Sequence, residues 1–222
     1  MPNIGELAAI GILAYALGGV PTALLIGRLV FGVDIRQYGS GNVGSTNALR
    51  VFGWQWGVIV QIVDILKGVV AVAVLPSFVA TAAAHAEAVR AFGAVAAVAG
   101  HCWSPWAGFR GGKGVNTAAG ALGILAPMEL LIGLGSFALA LASTGYVSVG
   151  SLTAAVVVPA SVFLRLGPAQ ALVSPTFWST IAIAAIVWMR HRANLVRLAR
   201  GTEYRFNSVW LIGRIRRFKL HD

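Results

Sequence analysis

Long apolar runs alternate with short polar segments along the whole chain. A helix needs about 20 mostly apolar residues to cross a bilayer, fewer where protein shields it. On that measure the runs predict spans near residues 4–27, 54–75, 84–104, 114–126, 128–145, 147–165 and 172–190. The stretch 113–145 is too long for one upright span, and Pro127 divides it. Proline removes a helix donor and disfavours helical geometry in the residue before it, so GILAPMELL reads as a turn at a membrane surface. The expected architecture is therefore an all-α integral membrane protein of about seven transmembrane helices in a single polytopic domain, residues 1–222.

Composition agrees with this pattern. Hydrophobic residues make up 58% of the 222 positions and charged residues 11%, and the mean hydropathy of +0.80 lies far above that of soluble domains. The N-terminal stretch has neither the basic region nor the small-residue cleavage pattern of a removable signal, so it reads as a retained first span. Cys102 is the single cysteine, which rules out an intrachain disulfide framework. The four scattered histidines form no metal-binding spacing, and nothing in the sequence calls for a cofactor or a metal.

The net charge of +10 matters for where it lies. Arg28, Arg36 and Arg50 sit in or beside the first polar loop. Arg110 and Lys113 sit in the loop after the third span, and nine Lys or Arg residues follow the last span; the opposite side has only Arg90 and Arg165. By the positive-inside rule the basic loops and the C-terminus face the cytoplasm and the N-terminus lies outside. The basic residues form no continuous soluble face, so nucleic acid is not an expected partner. Residues 205–222 read either as a basic cytoplasmic tail or as an interfacial amphipathic helix on anionic lipid.

Three polar segments on the predicted cytoplasmic face carry candidate chemistry. GSGNVGSTNALR, Gly39 to Arg50, offers short donors, flexible glycines and one guanidinium without a carboxylate, which suits phosphate; alone, it reads sooner as a polar connector between two membrane helices. In FRGGKGVNT, Arg110 and Lys113 flank Gly111 and Gly112 ahead of a helix start that includes Thr117, so backbone N–H groups and an ammonium can meet one anion. Ala107 and Gly114 exclude a Walker A loop. RHRANLVRLARGTEYR sets His191 and Asn194 three residues apart on one helix face, with Arg197 beyond. Asp64 and Lys67, one turn apart inside the second span, are read as a structural pair or as part of a site. Phosphorylated-solute transport would also use anion-binding loops, but transporters usually place their site near the midplane in broken helices.

The three segments in this order, together with DILKG and TGYVSVGS, resemble the PlsY family, the acyl-phosphate:glycerol-3-phosphate acyltransferases of bacterial membranes. The likeness extends over nearly the whole chain. Ser45 and Asn116 stand where the family usually has alanine, Arg110 where lysine is common, and Pro105 is displaced by one place. The resemblance implies a multi-pass protein of the bacterial cytoplasmic (inner) membrane with a cytoplasm-facing groove. It also implies transfer of a fatty acyl group from acyl phosphate to the first hydroxyl of glycerol 3-phosphate, giving lysophosphatidic acid and phosphate. Catalysis is then expected from Ser40, Lys113, His191 and Asn194. Substrate binding is expected from these four with Asn42, Asn47, Arg50, Gly111, Gly112, Thr117 and Arg197. The proton acceptor is either His191 or a substrate phosphate.

Overall fold

The computed structural model describes residues 1–206 and is all-helical over that range. The expectations for the tail beyond Phe206 lie outside the described residues. The principal helices are α1 (Ile4–Gly19), α2 (Thr22–Val30), α3 (Ser45–Phe52), α4 (Trp54–Val69), α5 (Pro76–Val79), α6 (Ala86–Cys102), α7 (Val115–Leu125), α8 (Pro127–Thr144), α9 (Val147–Ala171), α10 (Pro175–Arg190) and α11 (Arg192–Ala199).

Among the described residues, four stretches are long and apolar enough to cross a membrane: Ile4–Val30, Trp54–Val79, Pro127–Thr144 and Val147–Ala171. The first is not one straight span. Val20 leaves helical geometry at ψ 114° because Pro21 follows it, which splits the predicted 4–27 segment into α1 and α2. The predicted 84–104 and 172–190 spans appear as α6 and α10. The predicted 114–126 span is α7, whose 11 residues reach only about 16 Å at about 1.5 Å per residue. Between α7 and α8 the helix breaks at Ala126 (φ −150°, ψ 64°), with Pro127 opening the next helix.

Helices pack where small residues allow backbones to approach. α1 runs along α6, α4 along α7, and α8 along α9, while α10 lies against α6 and α9. At the α4–α7 crossing a side chain on Gly68 would strike the Thr117 carbonyl, and one on Gly120 would strike the Ile65 carbonyl. Lipid is as apolar as leucine, so such contacts hold a membrane bundle together better than further apolar bulk would. Val72, Ala94, Val98, Ala121, Val158 and Val187 fill the centre between α6, α7, α9, α10 and the π-helical turn that prolongs α4. Leu29, Phe78, Leu139 and Leu164 point outward.

Inside this bundle the Asp64–Lys67 pair is buried and acquires partners from the α1–α2 break. Lys67 Nζ donates to Asp64 Oδ1 at 2.6 Å, to Thr22 Oγ1 at 2.7 Å and to the Val20 carbonyl at 2.5 Å. Thr22 Oγ1 donates in turn to Asp64 Oδ1. The break that Pro21 causes thus exposes the carbonyl that solvates the buried ammonium.

Candidate active site

The three polar segments converge on one cavity of about 750 Å³. The starts of α3 and α7 are among the helix termini that reach it. Gly44, Ser45 and Thr46 bring the N-terminus of α3, and Gly114, Val115 and Asn116 bring that of α7. Unsatisfied N–H groups and the positive end of the helix dipole make such termini favourable for anions. Asn116 Nδ2 donates to Ser45 Oγ at 2.8 Å and ties the two starts together.

Ser40, Asn42, Arg50, Lys113, His191, Asn194 and Arg197 all line the cavity. Four other residues expected in the site do not. Asn47 is buried as a staple of its own loop: its Oδ1 accepts from Ser40 N–H at 2.8 Å, and its Nδ2 donates to the Tyr38 and Asn42 carbonyls. Gly39, at φ 60°, leaves the space that this amide fills. Gly111 and Gly112 spend their N–H groups on the Cys102 and His101 carbonyls rather than on an anion. Thr117 is fully buried where α7 meets α4. Short polar side chains serve loop closure as readily as ligands, and their spacing is the same in both cases.

Charge on the wall is uneven. Glu203 accepts from Asn194 Nδ2 at 2.6 Å, Arg197 Nε at 2.7 Å and Ser148 Oγ at 3.0 Å. Burial opposes its charge, yet these bonds prevail and hold the carboxyl below its usual range. Asp64, at the cavity floor, is matched by Lys67. Among the described residues Arg50 and Lys113 take part in no salt bridge, so two cations face the cavity without a carboxylate in contact. Arg50 stacks on Tyr204, and burial lowers its pKa. Burial also lowers Lys113 to about 8, leaving it charged at neutral pH.

His191 is buried, and its Nδ1 lies 2.8 Å from the Val187 carbonyl. A carbonyl only accepts, so Nδ1 carries the proton and neutral His191 keeps Nε2 as an acceptor. Burial, reinforced by the nearby Lys113 charge, lowers its pKa to about 4. The ring is thus suited to receive a hydrogen bond from a hydroxyl and poorly suited to hold a proton.

Several residues of this wall carry little mark in the sequence. Glu203 and Tyr204 follow the last helix without periodicity, and Ser148 lies far along the chain. Arg190, read only as a topological charge, binds the carbonyls of Gly111 and Gly112. The GTEYR segment did give a signal: a carboxylate and an aromatic beside a run of arginines.

Comparison with known proteins finds chains similar to this one over most of its length. The profile described as glycerol-3-phosphate acyltransferase matches residues 8–201. The chain belongs to the glycerol-3-phosphate acyltransferase family. Relatives bearing that name include one from Trichlorobacter lovleyi, 42% identical over 195 residues, covering 88% of this chain and 95% of the relative. Another, from Anaeromyxobacter sp., is 43% identical over 189 residues, covering 85% and 92%. The crystal structure of PlsY, an integral membrane glycerol 3-phosphate acyltransferase, in its glycerol 3-phosphate form superposes with a TM-score of 0.80. It shares 34% identity, with 92% of this chain and 97% of that chain covered. The lysophosphatidic acid form of PlsY gives 0.78 at 32% identity, covering 94% and 99%. The acyltransferase family membership and the apolar helices together make this a multi-pass membrane protein.

Proposed function

We propose that this family member acylates the first hydroxyl of glycerol 3-phosphate with acyl phosphate as donor, releasing lysophosphatidic acid and inorganic phosphate. The observation that carries this reading is the pair Arg50 and Lys113: two cations without carboxylate contacts on one cavity, for a reaction that brings two phosphates together. Acyl phosphate is a mixed anhydride and already activated, so positioning and charge stabilisation suffice without a covalent nucleophile.

In this reading Ser40 and Arg50 grip one phosphate, Arg50 through its two-pronged guanidinium. Lys113 neutralises the oxygens on which charge grows as the anhydride C–O bond breaks and phosphate leaves. His191 Nε2 accepts a hydrogen bond from a glycerol hydroxyl. The hydroxyl oxygen bonds to the acyl carbonyl carbon, and its proton passes to a phosphate oxygen, because a histidine with a pKa of about 4 is a weak acceptor at neutral pH. Asn42 closes the Gly39–Arg50 loop by accepting from Gly44 N–H, while Asn194 and Arg197 act through Glu203. The polar loops face the cytoplasm of a bacterial inner membrane, with seven helices crossing or entering the bilayer and the N-terminus outside.

Purified protein supplied with glycerol 3-phosphate and either acyl phosphate or acyl-CoA tests the donor. Lysophosphatidic acid from acyl phosphate is expected; product from the CoA thioester alone overturns the assignment.

A further inference from the structure

Lys113 follows two glycines whose every backbone polar group is taken by the protein. Gly112 N–H donates to the His101 carbonyl at 2.9 Å, and Gly111 N–H donates to the Cys102 carbonyl at 3.2 Å. One guanidinium receives both carbonyls: Arg190 Nη2 donates to Gly111 O at 2.9 Å and Nε to Gly112 O at 3.0 Å. The third side of Gly112 is closed as well, because a side chain there would run into His101 Nε2. His101 is itself buried against the cavity floor, its Nδ1 3.9 Å from Asp64 Oδ1. Asp64 is fixed by Lys67 and Thr22, and its Oδ2 has no hydrogen-bond partner among the described residues.

We propose that Arg190 and His101 are positioning residues for Lys113: the Arg190 fork holds the two carbonyls, the His101 imidazole seats against Gly112, and together they fix where the ammonium enters the cavity. Two consecutive carbonyls suit the planar fork of arginine, and a lysine at position 190 can satisfy only part of it. A purely topological charge would not distinguish the two, since lysine and arginine serve the positive-inside rule alike. Arg190 also directly precedes His191, so the same contact sets the Lys113 loop relative to the helix end that bears the hydroxyl acceptor.

The inference rests on the acyl-transfer role of Lys113, and the test separates the two. Full-length Arg190→Lys, Arg190→Ala, Gly112→Ala, Gly112→Ala with His101→Ala, and Lys113→Ala are purified, checked for thermal unfolding, and assayed for kcat and KM with acyl phosphate and glycerol 3-phosphate. Misplacing a catalytic group by about 1 Å can lose about a hundredfold in rate. Arg190→Lys is therefore expected to unfold like the parent protein but to lose about tenfold or more in kcat, with KM for glycerol 3-phosphate changing less than about twofold. Added methylguanidinium restores part of the Arg190→Ala rate. Removing the imidazole makes room for the new methyl group, so the double variant is more active than Gly112→Ala alone. Parental kcat in Arg190→Lys, or a double variant no better than Gly112→Ala, overturns the positioning inference alone. Retained turnover in Lys113→Ala overturns the acyl-transfer reading beneath it.

Discussion

The guanidinium carbon of Arg50 lies 3.8 Å from the centroid of the Tyr204 ring, and its Nε has no hydrogen-bond partner among the described residues. The ring covers one face of the cation while the cavity takes its edge. A cation over an aromatic face is stabilised by roughly 0.5–2 kcal/mol, the upper end applying when water is excluded. Replacing Tyr204 with Leu should therefore raise KM for the substrate whose phosphate Arg50 grips by roughly 2- to 30-fold, with a smaller effect on kcat. Tyr204→Phe should stay near the parent protein. Steady-state kinetics of the pair checks this; equal defects in both would mean that stacking is not what holds Arg50.

Lys113 sets a pH dependence. Its folded-state pKa is lowered to about 8, so the ammonium is present below that value and lost as pH rises through it. The profile of kcat/KM reports the free enzyme and should fall above pH about 8. Bound phosphates favour the charged form, so the matching limb in kcat should lie at higher pH. Rates between pH 6 and 10 check both limbs. Lys113→Arg, if active, should lose the descending limb, because a guanidinium stays charged throughout that range.

Asn116 Nδ2 donates to Ser45 Oγ at 2.8 Å across the cavity wall. Both side chains are half-buried, so removing one partner costs about 0.5–1.5 kcal/mol, whereas removing both can be nearly neutral. Ser45→Ala and Asn116→Ala should each lower the unfolding temperature, and the double variant should recover most of the loss. Thermal unfolding of all three in one detergent measures the coupling; strict additivity would show that the bond is not formed.

How much of this site was legible in the sequence depends on the kind of signal. The three segments were visible because each concentrates glycines, hydroxyls and cations between apolar runs. The division at Pro127 followed from backbone sterics. Asn47, Gly111, Gly112 and Thr117 stand off the cavity lining, which the sequence does not show, since an amide that closes a loop and an amide that binds phosphate look alike in one dimension. Arg190 and Tyr204 carry no such mark because their partners, a pair of carbonyls and Arg50, are set by tertiary contact. Asp64 and Lys67 were legible as a one-turn pair; the carbonyl and hydroxyl that complete their shell come from the α1–α2 break.

That buried pair gives a stability prediction. Taking away one member of a buried ion pair costs about 3–5 kcal/mol, since the other charge is left stranded, while apolar replacement of both costs much less. Lys67→Met should therefore destabilise the protein strongly, and Asp64→Leu with Lys67→Met should be the more stable of the two. Denaturation in detergent micelles checks the order; a double variant that falls below Lys67→Met would refute it.

In the proposed reaction Lys113 carries the charge released when acyl phosphate gives up its acyl group to glycerol 3-phosphate. The most direct measurement is phosphate release from acyl phosphate, dependent on glycerol 3-phosphate, by purified Lys113→Ala whose folding has been verified. A loss of about a hundredfold or more in kcat is expected, as for removal of a group that stabilises transition-state charge. Release at close to the parental rate contradicts it.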